Sequence, residues 1–313
     1  MNLRKFMAAA LAAVFCMTAA GCSKSDGAPG ESTSATESVS EPEQQPADEF
    51  DQNITAMELT ADIKVGWNLG NTLDANGGTG VSQETSWGNP RTTPELMQGV
   101  KDAGFNAVRI PTTWERQMDE NNVINAEWLA RVKEIVDYAY DLDMYVILNM
   151  HHEEWYQPYA DKEEEITAKL QTCWTQIAEA FKGYDQHLIF EGMNEPRWKN
   201  TEFEWNGGNA EGRRVVNAYN ECFVETVRAT GGNNRYRALM IPTYAASASG
   251  LDGFTVPQDK SLIVSVHAYS PYNFAMNPSG TTKFDPNNTS DTQELTWLAG
   301  TLYDRFISKG TGV

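Results

Sequence analysis

Short apolar runs alternate with longer segments of helical periodicity from residue 60 onward. Met144–Met150 is a continuous apolar run, which is typical of a strand buried on both faces. The pattern predicts strands at Ile63–Trp67, Ala107–Ile110, Met144–Met150, Leu188–Phe190, Ala238–Ile241 and Leu262–His267. It predicts helices at Thr93–Ala103, Ala126–Leu142, Glu165–Phe181, Gly212–Thr230 and Asp291–Ser308. Residues 242–261 show no clear helix. Strands that alternate with helices predict a parallel sheet.

Polar residues fall at or just after the carboxyl ends of most of these strands. They are Asn68, Arg109, His151, Asn194, Glu195 and His267. In an open sheet only the strands near the switch point would carry such groups, so this distribution favours an α/β fold of the (β/α)8 TIM-barrel class, whose sites lie at that face. Only six of the eight units are found, so we expect a barrel truncated before strand seven. A six-unit open sheet is the alternative.

The amino terminus has the pattern of an export signal. Arg4 and Lys5 precede an apolar run from Phe6 to Ala20, which is shorter than a membrane-spanning helix requires. Small residues stand directly before Cys22, as in a bacterial lipoprotein cleavage box. We therefore expect a signal peptide at 1–21, a lipid anchor on Cys22 and an exported or cell-surface protein. An ordinary cleavage site with an incidental thiol is the alternative.

Residues 22–52 are rich in Ser, Glu and Pro and poor in large apolar residues, which predicts a flexible acidic linker. The barrel is then expected at 53–313. The formal net charge of −19 makes nucleic acid an unlikely partner, because such a surface repels phosphate backbones. Cys173 and Cys222 both fall inside predicted helices, where buried thiols are more common than a disulfide.

Glu195 is the most informative carboxylate because Asn194, Glu195 and Pro196 follow a strand directly. Burial in a partly apolar cleft lined by Trp would raise the pKa of Glu195, as a general acid for a glycosidic oxygen requires. A surface loop carboxylate is the alternative. Glu191 has the same strand parity, lies deeper and is expected to be an ion-pair partner.

Five ordered motifs carry a family resemblance. They are Gly66-Trp67-Asn68-Leu69-Gly70-Asn71, Val108-Arg109-Ile110-Pro111, Asn149-Met150-His151-His152-Glu153, Gly192-Met193-Asn194-Glu195-Pro196 and Val266-His267-Ala268-Tyr269. Together they resemble glycoside hydrolase family 5, the old cellulase family A. Trp87-Gly88-Asn89-Pro90 and Ser270-Pro271-Tyr272-Asn273-Phe274 are further similar to its subfamily 4, endoglucanases that often also accept xyloglucan or mixed-linkage glucan.

The resemblance implies a retaining mechanism on a β-linked glycan, with Glu195 as the acid/base. It implies that Asn194 binds the sugar 2-hydroxyl and that Arg109 orients the nucleophilic carboxylate. His151 would line the −1 subsite, and His152 would lie beside it. His267 would adjust the charge state of Glu195, and Tyr269 would hydrogen-bond the nucleophile.

The family's nucleophile is a Glu at the end of strand seven, a position that we do not find in this chain. We therefore expect these 313 residues to lack covalent catalysis on their own.

Candidate substrate contacts are Asn68, Asn71, Trp87, Trp155 and Trp198, besides His152. Asn68 and Asn71 could equally be turn residues, and each Trp could be loop packing. The cluster of His151, His152 and Glu153 could be read as a metal site, but adjacent histidines at a strand end point in different directions. We expect no metal and no cofactor.

The function expected from the sequence is a retaining endo-β-1,4-glucanase acting on cellulose-type β-glucans, in a monomer. A β-mannanase of the same fold is one alternative. A non-catalytic glycan-binding surface lipoprotein is another, although binding alone does not need an acid beside an oriented arginine.

Overall fold

The computed structural model describes residues 50–313. The signal peptide predicted at 1–21, the lipidation predicted at Cys22 and residues 22–49 of the predicted linker lie outside the described residues. Phe50, placed in the linker by the sequence, is buried and packs against the ring of Tyr236, with 6.1 Å between the ring centroids. Ordered packing therefore already includes Phe50, three residues before the predicted start of the barrel.

Six strands and seven α-helices are present in the described part of the chain. The strands are β1 (Gly66–Asn68), β2 (Ala107–Ile110), β3 (Tyr145–Asn149), β4 (Leu188–Glu191), β5 (Leu239–Pro242) and β6 (Leu262–Ser265). The helices are α1 (Ala56–Asp62), α2 (Pro94–Asp102), α3 (Ala126–Tyr140), α4 (Glu163–Ala180), α5 (Ala210–Ala229), α6 (Tyr272–Ala275) and α7 (Thr289–Arg305). All six predicted strands are confirmed, and most of their bounds agree within two residues.

The strands form one parallel sheet whose order is the order of the chain, β1 to β6. A doubly wound open sheet instead reverses its strand order at a switch point. A sheet that always adds the next strand on the same side is the arrangement of a barrel. The order thus agrees with the predicted (β/α)8 class and not with a doubly wound sheet.

Two apolar layers position the sheet. Outward-facing strand residues such as Val108, Val146 and Phe190 pack under the helices in the main core. The alternate, inward-facing residues near the strand starts include Ile189 and Ile263, and they pack against α1. Helix α1 was not predicted from the sequence. It closes the end of the sheet opposite to the carboxyl ends of the strands, so the polar groups gather at the other end.

Side-chain caps explain where several helices begin. Thr93 accepts a hydrogen bond from the Leu96 amide and is followed by Pro94 at the first helical position, where the missing N–H costs nothing. Asn125 and Asn209 cap α3 and α5 in the same way.

The connection from β5 to β6 contains only 3₁₀ turns, at Tyr244–Ala246 and Ala248–Leu251, which confirms that no α-helix follows β5. After α7 the chain returns to the sheet, where a single parallel bridge joins Gly312 to Ile263 of β6. Among residues 50–313, no helix combines the length and the hydrophobicity that crossing a bilayer requires.

Candidate active site

A layer of polar side chains lies on the inner face of the sheet, above the apolar layer that α1 covers. Because side chains alternate along a strand, Arg109, Asn149, Glu191 and Ser265 all point to this face. Glu191 is the centre of the layer: it accepts hydrogen bonds from Arg109 Nε at 2.7 Å, Asn149 Nδ2 at 3.1 Å and Ser265 Oγ at 2.8 Å. Four strands are thus joined through one carboxylate.

The Glu191 carboxylate is inaccessible to solvent and remains ionised. Burial alone would raise the pKa of Glu191, but the charges of Arg109 and His267 and the hydrogen bond from Arg109 lower it far below the ordinary value. This confirms the prediction that Glu191 is an ion-pair partner. A carboxylate held by so many donors is a poor nucleophile, because its lone pairs are already engaged.

Arg109 extends this network to the rim. Its Nη2 donates to Asn194 Oδ1 at 2.8 Å, and its Nη1 donates to Asn68 Oδ1 at 3.1 Å. The Asn194 amide oxygen is therefore occupied. The Nδ2 group of Asn194 points away from Arg109 and can donate hydrogen bonds to another molecule. Asn68 has its oxygen bound by Arg109, so it is a member of this network rather than a simple turn residue.

Glu195 lies at the rim beside His267. The distance from His267 Nδ1 to Glu195 Oε1 is 2.7 Å, and His267 Nε2 lies 3.9 Å from Glu191 Oε1. The other Glu195 oxygen, Oε2, lies 3.3 Å from Arg197 Nη1. The Glu195 side chain is 15% exposed, so a bound molecule can reach its carboxyl.

The protonation of Glu195 differs from the sequence-based expectation. Burial raises the pKa of Glu195, but the hydrogen bond from His267 and the charges of His267, Arg197 and Arg109 outweigh it, so the net shift is downward. The expectation of a raised pKa was wrong because the sequence did not show how many cations converge on this carboxyl. In turn, burial lowers the pKa of His267, but the negative charge of Glu191 and the hydrogen bond to Glu195 raise it to about 9. At neutral pH the pair is therefore carboxylate and imidazolium.

His151 and His152 lie on one side of this pair, directly after β3. Their rings meet edge to face at 4.5 Å, and Trp87 lies 5.6 Å from His152. Burial and the nearby charge of Arg109 lower the pKa of His151 well below its usual value, and burial also lowers the pKa of His152. Both rings are neutral at pH 7, and Trp87 is 44% exposed beside them. The sequence-predicted residues on this side thus form a wall with one open aromatic face.

Asp74, His151 and His152 have potential metal-ligand atoms within 4.8 Å of one another. Asn149 Oδ1 accepts the Thr112 amide proton, so Asn149 Nδ2 donates to His151 Nδ1, 3.0 Å away. His151 Nδ1 is then an acceptor, and Nε2 carries the proton in the neutral ring. A protonated Nε2 is not a metal ligand, so this hydrogen bonding opposes a metal here. The absence of a metal stays a prediction.

The three remaining candidate residues, Tyr269, Asn71 and Trp155, differ in exposure and in contacts. Tyr269 is 56% exposed after the end of β6. Asn71 is exposed and has a φ of 61°, the left-handed conformation that favours Asn in turns, which supports the turn alternative. Trp155 donates its indole N–H to Glu153, and Lys169 lies 4.5 Å over its ring. One face of Trp155 is therefore covered.

Trp198 is a correction to the predicted substrate contacts. It is 9% exposed, stacks parallel to Tyr159 at 5.1 Å and donates its indole N–H to the Pro158 carbonyl. Phe203 packs edge-on against it at 5.7 Å. A ring enclosed by these neighbours stabilises the loops and has no free face for a sugar, so Trp198 is a packing residue and not a substrate contact.

Most of the described chain is similar to a known family of enzymes. Residues 73–313 match the family described as Cellulase (glycosyl hydrolase family 5). The chain belongs to glycosyl hydrolase family 5. Its described residues supply six consecutive strands of the family's (β/α)8 fold.

Individual family 5 relatives are similar over most of this chain. Endoglucanase A of Clostridium longisporum is 50% identical over 268 residues, which are 83% of this chain and 52% of that protein. Endoglucanase A of Ruminococcus albus is 44% identical over 263 residues, which are 82% of this chain and 72% of that protein. The chain therefore spans about half the length of the Clostridium relative.

Solved family 5 structures agree. A GH5-4 broad specificity endoglucanase from Clostridium longisporum matches with a TM-score of 0.80 and 49% identity, over 83% of this chain and 77% of that one. A GH5-4 broad specificity endoglucanase from Ruminococcus champanellensis, solved with bound cellotriose, matches with a TM-score of 0.79 and 47% identity, over 83% and 78%. The resemblance to family 5 and its subfamily 4 is confirmed.

Some members of this family 5 site were not among the predicted functional residues. Asn149 and Ser265 could have been found, because both are polar residues at inward positions of apolar strands. Arg197 could not, because a loop residue gives no periodicity from which to infer a direction. Arg197 nevertheless contacts the Glu195 carboxyl directly.

Proposed function

We propose that the protein is a retaining endo-β-1,4-glucanase in which Glu195 is the acid/base. The observation that carries this proposal is the pairing of Glu195 with His267 at 2.7 Å, on a rim where Arg109 holds Asn194. The family membership and the endoglucanase relatives support it. A protein that only binds glycans does not need a titratable pair of this kind.

The acid step begins from the ion pair of Glu195 and His267. A sugar that fills the cleft displaces water, and a lower local polarity favours the neutral pair over the charged pair. The proton then moves from His267 Nδ1 to Glu195 Oε1, and Glu195 donates it to the glycosidic oxygen as the bond to the anomeric carbon breaks. In the second step the Glu195 carboxylate takes a proton from the attacking water, and this restores the acid.

Asn194 is placed to support this chemistry. Since Arg109 occupies its Oδ1, its Nδ2 group is available to donate to a sugar hydroxyl next to the reacting carbon. The 2-hydroxyl is such a neighbour, and hydrogen bonds to it strengthen as charge develops on the sugar.

We further propose that the nucleophile is not among residues 50–313. Two carboxylates connect to Glu195 through one intervening side chain: Glu191 through His267 and Glu204 through Arg197. Glu191 is buried and engaged by three donors, and Glu204 is tied to Arg197 and the Asn200 amide. Neither carboxylate presents a free oxygen for attack on a sugar.

A β-glucan backbone is the substrate that the comparisons favour over a mannan. Three of the similar structures contain cellotriose, one of them a xyloglucan-specific endo-β-1,4-glucanase at 43% identity. Another similar structure is a lichenase at 39% identity, in complex with cellotetraose. We therefore propose that cellulose-type glucan binds along the rim, with xyloglucan or mixed-linkage glucan accepted in addition.

The test uses the full chain with an aryl β-cellobioside, with and without sodium azide, together with cellotriose and mannotriose binding by calorimetry. If the nucleophile is absent from residues 50–313, azide attacks the anomeric carbon directly and yields the α-cellobiosyl azide. Turnover without azide would refute the proposal about the nucleophile but would support the proposed glucanase activity. Mannotriose binding in place of cellotriose would indicate a mannanase. Binding of cellotriose without turnover under either condition would indicate a glycan-binding protein.

Glu195→Gln is the matched variant. It keeps the size and most hydrogen bonds of Glu195 but cannot donate a proton, so we expect cellotriose binding to persist. Azide-dependent turnover of substrates with poor leaving groups should fall by at least ~10²-fold, the usual contribution of a general acid. Equal turnover by the variant would exclude Glu195 as the acid.

We also propose that the protein is exported and held at the membrane by a lipid on Cys22, on the basis of Arg4, Lys5, the apolar run and the small residues before Cys22. Mass spectrometry of the membrane fraction should find a lipidated amino-terminal Cys22 peptide. Cys22→Ser should abolish that peptide, and an unmodified peptide beginning elsewhere would contradict the anchor.

A further inference from the structure

One arginine outside the predicted site connects the Glu195 carboxyl to an exposed loop. Arg197 Nη1 donates to the Glu195 backbone carbonyl at 2.9 Å and lies 3.3 Å from Glu195 Oε2. Its Nε donates to Glu204 Oε1 at 3.2 Å, and its guanidinium carbon lies 4.0 Å from the centroid of the Trp205 ring. The Arg197 side chain is only 15% exposed.

The loop is organised to hold this guanidinium in place. Glu204 Oε2 accepts the amide proton of Asn200 at 2.8 Å, so the anion that binds Arg197 is itself fixed. The Trp198 amide donates to the Tyr244 hydroxyl at 2.9 Å, which anchors the start of the loop to the segment after β5. Trp205 covers one face of the guanidinium, and this limits the access of water to the cation. The ring of Trp205 is itself 60% exposed.

We propose that Arg197 is a positioning residue that holds the Glu195 carboxyl toward His267 and that, with its charge moderated by Glu204, sets how readily that carboxyl takes up a proton. This inference rests on the proposed function, in which Glu195 is the acid/base. Arg197 acts on Oε2 while His267 acts on Oε1, so the two cations fix the plane of the carboxyl from both sides.

The other charges that face Glu195 come from the surrounding strands and loops. They are His267 after β6, Arg109 on β2, His152 after β3 and, through His267, Glu191 on β4. Arg109 is bound by Glu191, and His267 exchanges a proton with Glu195 itself. Arg197 is the permanent cation in hydrogen-bond contact with the carboxylate, because a guanidinium stays protonated at any working pH.

The direct test is a ¹³C NMR titration of the Glu195 carboxyl in the full chain labelled at glutamate Cδ, with Glu195→Gln to assign the signal. Removing the cation in Arg197→Gln should raise the pKa of Glu195 by about one unit, the lower end of what an adjacent opposite charge produces. That is about a tenfold gain in proton affinity. Arg197→Lys keeps the charge and should remain closer to the wild-type value.

Glu204→Gln provides the opposing measurement. Removing this anion leaves the charge of Arg197 less compensated, so the pKa of Glu195 should fall. If the two substitutions merely loosened the loop, both would shift the pKa of Glu195 in the same direction. Arg214→Gln, which removes a surface arginine paired with Glu163 on the helices, should leave the titration unchanged.

The proposal is overturned if Arg197→Gln and Glu204→Gln shift the pKa of Glu195 in the same direction or not at all. If Arg197→Gln does not fold, the other two variants decide. A lowered pKa of Glu195 in Glu204→Gln, together with a pKa close to the wild-type value in Arg197→Lys, supports the proposal, and any other pair of results overturns it. The titration does not depend on turnover. A positive titration without turnover, either with or without azide, would therefore refute the proposed function and leave the coupling of Arg197 to Glu195 intact.

Discussion

The carboxylate of Glu191 should contribute more to stability than any exposed carboxylate of the chain. It is buried, carries a charge and accepts hydrogen bonds from Arg109, Asn149 and Ser265. Glu191→Gln keeps the shape of the side chain but removes the charge, and its amide places N–H groups against at least one of these donors. Breaking a buried pair in this way costs about 3–5 kcal/mol. We expect the free energy of unfolding to fall by about 3 kcal/mol at pH 7, because Asn68 and Asn194 still bind the Arg109 guanidinium.

The pH dependence gives this prediction a second signature. In the folded protein the pKa of Glu191 is lowered far below that of an unfolded glutamate, about 4.3. The stability that the carboxylate contributes is therefore complete above pH ~4.3 and is lost as the pH falls toward the folded-state pKa. Gln does not titrate. The difference in free energy of unfolding between wild type and Glu191→Gln should therefore narrow below pH ~4, by up to about 1.4 kcal/mol per pH unit.

Urea unfolding followed by tryptophan fluorescence measures both effects in the full chain. Glu225→Gln on the exposed face of α5 is the control and should change the stability by no more than about 0.5 kcal/mol at either pH. A loss below about 1 kcal/mol for Glu191→Gln at pH 7 would refute this view of the polar layer. A difference that stays constant between pH 7 and pH 3 would refute the assignment of an ionised Glu191.

Four further substitutions test the packing of buried groups and the binding role of an exposed ring. Trp198→Ala should lower the free energy of unfolding by about 3–5 kcal/mol in urea titrations, as for other enclosed aromatic residues. Trp87→Ala, at an exposed ring, should cost less than about 1 kcal/mol but weaken cellotriose binding in calorimetry, and the reverse pattern would contradict the assignment of the two rings. Gly192→Ala places a methyl group 2.6 Å from the Phe223 ring and should lower the thermal midpoint, with a cost of about 1–3 kcal/mol. Arg237→Met should be strongly destabilising, because this buried guanidinium donates to four backbone carbonyls, and each of them would lose that hydrogen bond.

The sheet was predictable from the sequence because burial on both faces leaves a local signal. Met144–Met150 is apolar throughout, and the observed strand β3 lies inside it. The first strand was predicted at Ile63–Trp67 but begins at Gly66, since residues 64–66 are exposed and an edge strand of three residues carries little pattern. Helix α1 was missed because its seven residues bury only Ala56 and Leu59, too few to establish a helical period.

The inner rim of the site was predictable for the same reason, and the loops were not. Arg109 lies on β2, and Asn194 and His267 come shortly after β4 and β6. The structure brings all three around Glu195 and Glu191. Trp198 and Trp205 lie in one loop, yet one is enclosed and the other is 60% exposed. Which face of a loop residue meets solvent depends on tertiary neighbours such as Tyr159 and Arg197, and these have no fixed spacing along the chain.

The different proton affinities of Glu191 and Glu195 follow from their depth in one network. Both carboxylates contact His267, and both feel the charge of Arg109. Glu191 lies beneath the rim, where its charge is permanently compensated by an arginine and two neutral donors, so it gains nothing from a proton. Glu195 lies at the surface of the network, where its partners are a titratable histidine and an arginine shared with Glu204. A change in local polarity can therefore move a proton onto Glu195 and not onto Glu191. Glu191 on β4 is therefore a fixed charge that maintains the site. Glu195, four residues later, can carry a proton that acts on a substrate.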